Sequence, residues 1–470
     1  MLSAERPHLR VEDLADKTVL IVGVAREGVS VANMLRKEVP TAKLVAVDQR
    51  PSDAAMAWKE QWGEEIPLVI SPDGAGLPES ADIAIVSPGL SRHNALVRGI
   101  AERGIALSSG TDLFFARHHE RIIGITGSKG KSTTSALTHH ILKAHGVDAA
   151  LGGNLGIPLW DMEDAEWIVA EISSYQAHSL TQSPHTAVLT ALFEEHLDWH
   201  GDFETYANDK LNIVGHEPAH VIVNGTQQRL VDEVTSRYPT LETTLLSDLS
   251  AWSVREHGAD WELVHHGNDV VSSVDLSLIG VHNGWNAALA CLAAETVIPL
   301  DDFVVAAALR SFIPLANRLE PVPDPSGIVF LNDSLATNPP ALAMALRSLR
   351  SRRVVALIGG FDRGVDDLAL KEEILAHPIA GLIGLPDSGP QWLMTIQQWF
   401  DDAGIPRSQW PVMKPVDGML EAVQIARSIA NRGDVVTLSP GAPSFGQYRD
   451  YQDRADRFID AVKATASESE

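Results

Sequence analysis

The sequence predicts an α/β protein built on parallel sheets and divided into about three domains. Two observations carry this. The chain has 470 residues, and single domains commonly run to roughly 100–200. Short β-branched strands alternate with helical patterns along most of it, the order that parallel sheets require.

Residues 18–22 (Thr-Val-Leu-Ile-Val) read as a strand ending at Gly23, followed by a helical pattern over 29–35. Strands at 44–47 and 83–86 end in Asp48 and in Ser87-Pro88-Gly89. These make a first domain, 1–109. A second, 110–314, opens with a strand at 121–125, a glycine-rich loop and a helix over 132–144. Strands at 167–170, 187–189 and 220–223 continue it. Alternating runs over 251–278 read as β-rich decoration, and a long helix follows over 283–296. A third domain, 315–470, has strands at 328–331, 353–358, 379–383 and 434–438. Several of its strands end in Gly or Ser-Pro. That gathers loops at the C-terminal edge of a sheet, where open α/β proteins bind ligands. Residues 464–470 read as a frayed acidic tail.

Composition excludes several classes. Lys and Arg number 37 against 62 Asp and Glu, a formal charge of −25. Such a surface repels nucleic acid and anionic membranes. No stretch approaches the ~20 apolar residues of a membrane span. The first residues carry no apolar run of signal-peptide length. The expectation is a cytoplasmic protein. Cys291 is the one cysteine, so an internal disulfide and a Cys-based metal site are excluded. It lies in an apolar run and reads as a core residue.

The strongest chemical signal is Thr126-Gly127-Ser128-Lys129-Gly130-Lys131-Ser132-Thr133. A strand leads in and a helix leads out. Backbone N–H groups at a helix start cradle phosphate oxygens, and the helix dipole favours the anion. Lys131 can neutralise phosphate charge, and the Ser132 hydroxyl can bind Mg²⁺. The strict phosphate-loop pattern has Gly at position 125, where this chain has Ile; Gly124 and Gly127 flank it. Glu171 ends the next strand and is suited to hold Mg²⁺ beside such a loop. His196, in Glu194-Glu-His-Leu-Asp-Trp-His200, reads either as a metal ligand or as a surface histidine. Lys210, on a helical pattern, reads as a solvated lysine.

Weaker signals lie further on. Asn332-Asp333-Ser-Leu-Ala-Thr337-Asn338 can bind a ribose or metal-bound water, and is equally an ordinary turn. Arg363 has a fork suited to a carboxylate. The run 439–448 offers backbone N–H groups and Ser444 for another anion. Near the start, Gly23-Val-Ala-Arg26-Glu27-Gly28 with Asp48 is close to a dinucleotide fingerprint. It departs where Ala25 replaces the second glycine, which disfavours a nicotinamide enzyme and leaves a nucleotide-diphosphate site open.

Taken in order, these blocks resemble the Mur ligases of peptidoglycan synthesis, and within them the glutamate-adding MurD type. The resemblance covers nearly the whole chain. It rests on residues 126–133, Gly153-Asn154, 171–176, Glu195-His196-Leu-Asp198, Lys210, His282-Asn283 with Asn286, Asn317-Arg318, 332–338 and 438–451. It implies a Rossmann-like N-terminal UDP-binding domain, a central P-loop ATPase-like domain and a Rossmann-like C-terminal domain. The implied reaction is ATP-dependent joining of glutamate to UDP-N-acetylmuramoyl-L-alanine through an acyl phosphate.

The resemblance also implies residue roles. Gly127, Ser128, Lys129, Gly130, Lys131, Ser132, Thr133, Asn283, Asn286, Arg318 and Asp333 belong to the ATP side, with His282 beside them. Two Mg²⁺ ions are expected on Ser132, Thr133, Glu171, His196 and a carbamylated Lys210. Gly23, Arg26, Glu27, Gly28, Asp48, Ser87, Pro88, Gly89, Asn154 and Ser173 would face the UDP substrate. Thr337, Arg363, Ser444, Phe445 and Tyr451 would face glutamate. The family pattern has a lysine where this chain has Leu335, and another aligned with Arg363. The whole cluster is similar to the variant that adds L-glutamate, whose product a separate epimerase inverts; D-glutamate stays open. A monomer is expected. A folylpolyglutamate synthetase-type ligase is disfavoured by the first domain. A non-catalytic nucleotide-binding regulator is disfavoured by the presence of Lys131, Glu171, His196 and Lys210 together.

Overall fold

Alternation of β-branched segments with amphipathic helices folds into three parallel-type sheets and one small separate sheet. The computed structural model describes residues 8–258, 260–350, 352–361, 368–376 and 379–466. Contacts divide the chain into two units. The first runs to residue 253 and takes in 265–268 and 285–309; the second comprises 254–264, 269–284 and 310 onward.

The first unit holds two parallel sheets. One is ordered Leu68–Ile70, Lys43–Asp48, Thr18–Val22, Ile83–Val86, Ala106–Ser108. Its central strand is buried along its whole length, which is why it reads as a continuous β-branched run rather than an alternation. Chain order reverses between Thr18–Val22 and Ile83–Val86, so a crevice opens where those strands end, at Gly23 and Ser87. Gly23 has φ +93°, and a Cβ there would stand 2.7 Å from that of Ser87. Only glycine lets the two turns approach so closely.

The other sheet is ordered Thr244–Leu245, His220–Val223, Thr186–Leu189, Ile122–Thr126, Trp167–Glu171, Ala149–Gly153, again all parallel. Its middle strand, Ile122–Thr126, is fully buried and feeds the glycine loop and the helix Lys131–Ala144. The neighbouring strands end at Glu171 and Leu189, so their loops flank the glycine loop.

In the second unit, the main sheet is ordered Glu320–Val322, Val329–Asn332, Val435–Leu438, Val354–Ile358, Ile379–Gly384, Val412–Pro415. Only the first of these is antiparallel to its neighbour. Two apolar layers cover its faces. One is built on Leu342, Leu346, Ile374 and Ile396, the other on Val423, Ala426, Phe458 and Val462. A three-stranded sheet, Trp252–His257, Asp260–His265 and Asn268–Ser272, occupies the stretch read as β-rich decoration. No helix among the described residues is long and apolar enough to cross a membrane.

Two expectations need correction. Residues 464–466 do not fray: they close the helix Tyr451–Ala466, whose buried face includes Phe458, Ala461, Val462 and Thr465. Residues 467–470 lie outside the described residues. Lys210 is not solvated; it is 3% exposed. Cys291 is fully buried, as its apolar run predicts.

Phe458 anchors the last helix on the main sheet, fully buried with its ring centroid 6.3 Å from that of Phe330. Phe458→Ala should destabilise the second unit by roughly 3–5 kcal/mol. The check is the urea midpoint of a probe in that unit, which should fall clearly; an unchanged midpoint would show that the helix is held by other contacts.

Candidate active site

The glycine loop is clamped from one side by the segment after Leu189. Ser128 N–H donates to Ala191 O at 2.7 Å, and Thr190 Oγ1 donates to Lys129 O at 2.5 Å. Ser128 Oγ shares a 2.6 Å hydrogen bond with Tyr206 Oη and accepts from Phe193 N–H at 2.8 Å. Gly127 has φ +148°, and a Cβ there would collide with Thr190 Oγ1. Gly130, at φ +87°, begins the helix Lys131–Ala144 without any side-chain cap. Its first N–H groups are therefore not satisfied by a cap, as a phosphate cradle needs.

Charges converge on this loop. Lys131 Nζ donates to Gly127 O at 2.8 Å and to Ser128 O at 3.2 Å. Lys129 pairs with Glu195 at 2.7 Å. Burial would raise the Glu195 carboxyl, but Lys129, Lys131 and His196 hold it below the usual carboxylate range. Lys210 Nζ donates to Gly127 O at 3.0 Å. Burial first, and then the charge of Lys131, push its amine well below the usual 10.5. His196 takes a left-handed backbone, φ +57°, at the start of the short helix Leu197–His200, with its ring 5.0 Å from that of Tyr175.

Glu171 is the residue best placed for a cation. It is 2% exposed, and one carboxylate oxygen accepts from Asn154 Nδ2 at 2.5 Å. The other oxygen is buried and accepts no hydrogen bond among the described residues. An orphaned carboxylate oxygen beside a phosphate loop fits a hard divalent ion. Among the described residues no cluster of three or more His, Cys, Asp or Glu is arranged to hold a metal alone.

Asn154 links this centre to a cavity of about 370 Å³ in the same unit. Arg26, Glu27, Pro88, Gly89, Asn154 and Ser173 are all in its lining, with Thr111, Trp160 and Tyr175 among the others. Arg26 donates to Gly156 O at 2.8 Å. Gly23 and Ser87 sit at the crevice mouth described above. Asp48 accepts from Val24 N–H at 3.3 Å. Gly28 packs against the Gly23 carbonyl, where a Cβ would clash. These last four shape the turn and are not in the cavity lining. Glu27 is half-buried, and desolvation pushes its carboxyl up to about 7, against a 3.4 Å hydrogen bond from Thr111.

Of the expected ATP-side residues, Asn286 accepts from Thr134 Oγ1 at 3.2 Å and borders Gly130. Asn283 donates to Ile279 O at 2.9 Å. In the second unit, Asp333 accepts from Ser439 Oγ at 3.0 Å and from Leu319 N–H at 3.3 Å, beside Arg318. His282 bonds Ser348 Oγ at 3.0 Å, and burial pushes its imidazole down to about 4, with the Arg318 charge adding. Thr337 is partly exposed and Ser444 buried, while Phe445 and Tyr451 are exposed. Arg363 lies outside the described residues.

Two arginines with organising roles carry no motif. Arg454 is fully buried and ties loops of the second unit together. Its guanidinium donates to Ser334 Oγ and O at 3.1 and 2.8 Å and to Ala442 O at 2.8 Å. The one sequence signal is its register with Phe458 and Val462, which puts a cation on a buried helix face. Arg92 pairs with buried Asp209, and nothing local in the sequence announces it.

A parallel-sheet protein whose glycine loop gathers lysines beside a buried carboxylate belongs to the nucleotide-using P-loop enzymes. Comparison with known proteins narrows the class. The Mur ligase middle-domain model matches residues 125–294, and the model described as Mur ligase, glutamate ligase domain, matches residues 317–441. A UDP-N-acetylmuramoyl-L-alanine–L-glutamate ligase of a Micromonospora species is 38% identical, covering 97% of this chain and 99% of its own. The ligase of the same name from Salinispora tropica is 37% identical over 97% of this chain and all of its own. Another, from Xanthomonas euvesicatoria, is 33% identical over 96% of each. Among solved structures, MurF ligase from Thermotoga maritima, in complex with ADP, superposes with a TM-score of 0.60 at 15% identity over 98% of each chain. At that identity the likeness shows the fold alone. The chain belongs to the Mur ligase family, whose members are ATP-dependent ligases that form peptide bonds.

Glu27 makes the pH dependence of stability testable. A carboxyl raised from 4.5 to about 7 by folding supports the folded state below pH 4.5 and loses that contribution as pH rises to 7. Stability should therefore decline across that window and level off above it. Glu27→Gln should remove this decline. Denaturant midpoints measured across the window in both proteins decide it: parallel curves would rule out a protonated Glu27.

Proposed function

We propose that the chain joins L-glutamate to UDP-N-acetylmuramoyl-L-alanine, cleaving ATP to ADP and phosphate. The structural observation that supports this most is the Asn154–Glu171 contact. It sets the wall of the 370 Å³ cavity directly against the carboxylate beside the phosphate loop. Full-length relatives bearing that name support the substrate and the L configuration. So does Leu335, which removes a cation from the block where the family pattern has lysine. On this reading residues 1–109 bind the UDP substrate, 110–314 bind ATP and 315–470 bind glutamate. A cytoplasmic monomer, with an epimerase acting later on the product, completes the proposal.

The chemistry brings anions together. The muramoyl-alanine carboxylate oxygen attacks the γ-phosphorus and ADP leaves. The glutamate amine, having lost a proton, then attacks the acyl carbon, and phosphate leaves as the amide forms. Lys131, Lys129 and the N–H groups at the start of Lys131–Ala144 screen the first encounter. Ser132, Thr133, Glu171 and His196 would hold Mg²⁺, which spreads charge from the phosphate oxygens. Lys210 fits this set only once changed. An ammonium cannot ligate a cation, but a buried amine held below its usual pKa is a nucleophile for CO₂, and its carbamate is an oxygen donor. Asn283, Asn286, Arg318 and Asp333 are assigned to the nucleotide. Thr337, Arg363, Ser444, Phe445 and Tyr451 are assigned to glutamate.

Purified protein with Mg²⁺, ATP and UDP-N-acetylmuramoyl-L-alanine should release phosphate on addition of L-glutamate and not of D-glutamate. Release with the D enantiomer alone would reverse the stereochemical assignment. Release only with a folate acceptor would overturn the substrate. Lys210→Ala should lower turnover by about a hundredfold or more, the scale of losing a charged transition-state group. Short carboxylic acids should restore part of it; a variant as active as the parent would remove the carbamate from the mechanism.

A further inference from the structure

Behind the phosphate loop, four buried or half-buried side chains form an unbroken chain of hydrogen bonds. Ser174 Oγ lies 2.9 Å from His200 Nε2, and His200 Nδ1 lies 2.7 Å from Asp209 Oδ2. Arg92 pairs with the same Asp209 oxygen, and its guanidinium sits 6.0 Å from the Trp199 ring. Ser174, His200 and Asp209 are 2%, 1% and 7% exposed. The two ring nitrogens of His200 thus bridge the Ser174 hydroxyl and the Asp209 carboxylate.

The order Ser–His–Asp is that of a hydrolase triad, but these groups are not built for one. Ser174 is closed to solvent inside the first turn of the helix Ser174–Ala177, and Arg92 already neutralises the carboxylate. What distinguishes the four is their place in the chain. Arg92 follows three residues after Gly89 of the cavity wall. Ser174 stands between Ser173 and Tyr175 of the same wall. His200 ends the short helix that starts after His196. Asp209 immediately precedes Lys210 on the helix Phe203–Leu211.

We propose that Arg92, Asp209, His200 and Ser174 are positioning residues: their bonds register the cavity wall against the helix carrying Lys210, so that a nucleotide-sugar ligand in the cavity also orders that helix. The network acts through other groups and touches no reacting atom. Arg92 bonds Lys210's helix directly at Asp209, and Ser174, next to two wall residues, reaches the same Asp209 through His200. The identity of the ligand rests on the function proposed above; the network itself does not.

Hydrogen exchange on the full-length protein, free and with UDP-N-acetylmuramoyl-L-alanine, tests this. In the parent, ligand should slow exchange both at the wall, over 153–160 and 173–176, and over 203–211. In Arg92→Ala and His200→Ala, exchange over 203–211 should be about tenfold faster without ligand, and ligand should protect the wall but no longer the helix. His200→Asn is too short to bridge both Ser174 and Asp209 as the imidazole does, and should fall between the parent and His200→Ala. The helix Gln228–Arg237 is the control. Equal acceleration there would mean general loosening and would count against the proposal. Turnover gives a second readout: KM for the nucleotide sugar should rise about tenfold, the scale of one lost charged hydrogen bond, with KM for ATP unmoved. The Arg92→Ala effect should shrink in an Asp209→Asn background, since the pair shares one bond. Unaltered exchange over 203–211 in both alanine variants, or undiminished protection of that helix by ligand, would overturn the network. If ligand protects no part of the wall in the parent, the substrate assignment fails instead, and the ligand-free comparison still decides on the network.

Discussion

A buried amine facing other cations is the constraint around which the first unit is organised. Lys210 is 3% exposed, and its one hydrogen bond among the described residues is to a neutral carbonyl, Gly127 O. An ammonium buried without a paired anion is costly by several kcal/mol. The nearby carboxylates, Glu171 and Glu195, offset this only in part, because Lys131 and Lys129 draw on the same negative charge. The result is a site short of anionic charge. It loosens the Lys210 amine's hold on its proton and welcomes phosphate, carboxylate or carbamate. Substrate binding thereby relieves an imbalance built into the fold rather than creating one.

Holding such a centre requires rigid surroundings, and the packing supplies them. Tyr206, one turn before Lys210, is fully buried and bonded to Ser128. It therefore fixes the helix to the phosphate loop directly. Thr190 fixes the loop's far side through the Lys129 carbonyl. Gly127 cannot be replaced without driving a side chain into Thr190, so the loop's conformation and its clamp select each other. Glu171 ends the strand on the other side of Ile122–Thr126, so a central strand flanked by two parallel neighbours gathers the clamp, the glycine loop and the carboxylate at one edge.

How much of this was legible depends on distance along the chain. Central strands such as Thr18–Val22 and Val354–Ile358 announce themselves by β-branched runs buried on both faces. Edge strands such as Ala149–Gly153 and Val412–Pro415 do not, because Gly, Pro and polar residues weaken the pattern and only sheet neighbours define them. The phosphate loop is local: its glycines, lysines and helix start occupy eight consecutive residues, and the structure puts them at the strand–helix junction the sequence predicts. Lys210 is the opposite case. On helical periodicity alone it is an ordinary surface lysine; its burial is decided by Gly127, 83 residues earlier. Arg92 and Asp209 find each other across 117 residues, and no window of sequence contains both.

The same reasoning bears on the second unit, where the family pattern loses a lysine at Leu335. The cation is not absent from that block but lies beneath it. Arg454 is bonded to both the carbonyl and the hydroxyl of Ser334, the residue just before Leu335. Burial lowers its guanidinium to about 10, which still leaves it charged at neutral pH. Its acceptors in these loops are carbonyls and a hydroxyl rather than a carboxylate, so its charge is only partly compensated there. A fixed positive charge under a loop attracts a carboxylate more diffusely than an ammonium extended into the pocket, and it cannot follow the substrate. If these loops take glutamate, as proposed, discrimination between enantiomers would have to come from groups at their surface. On the proposed reading, such a site would separate attraction, supplied by Arg454, from orientation, supplied by exposed residues such as Phe445 and Tyr451.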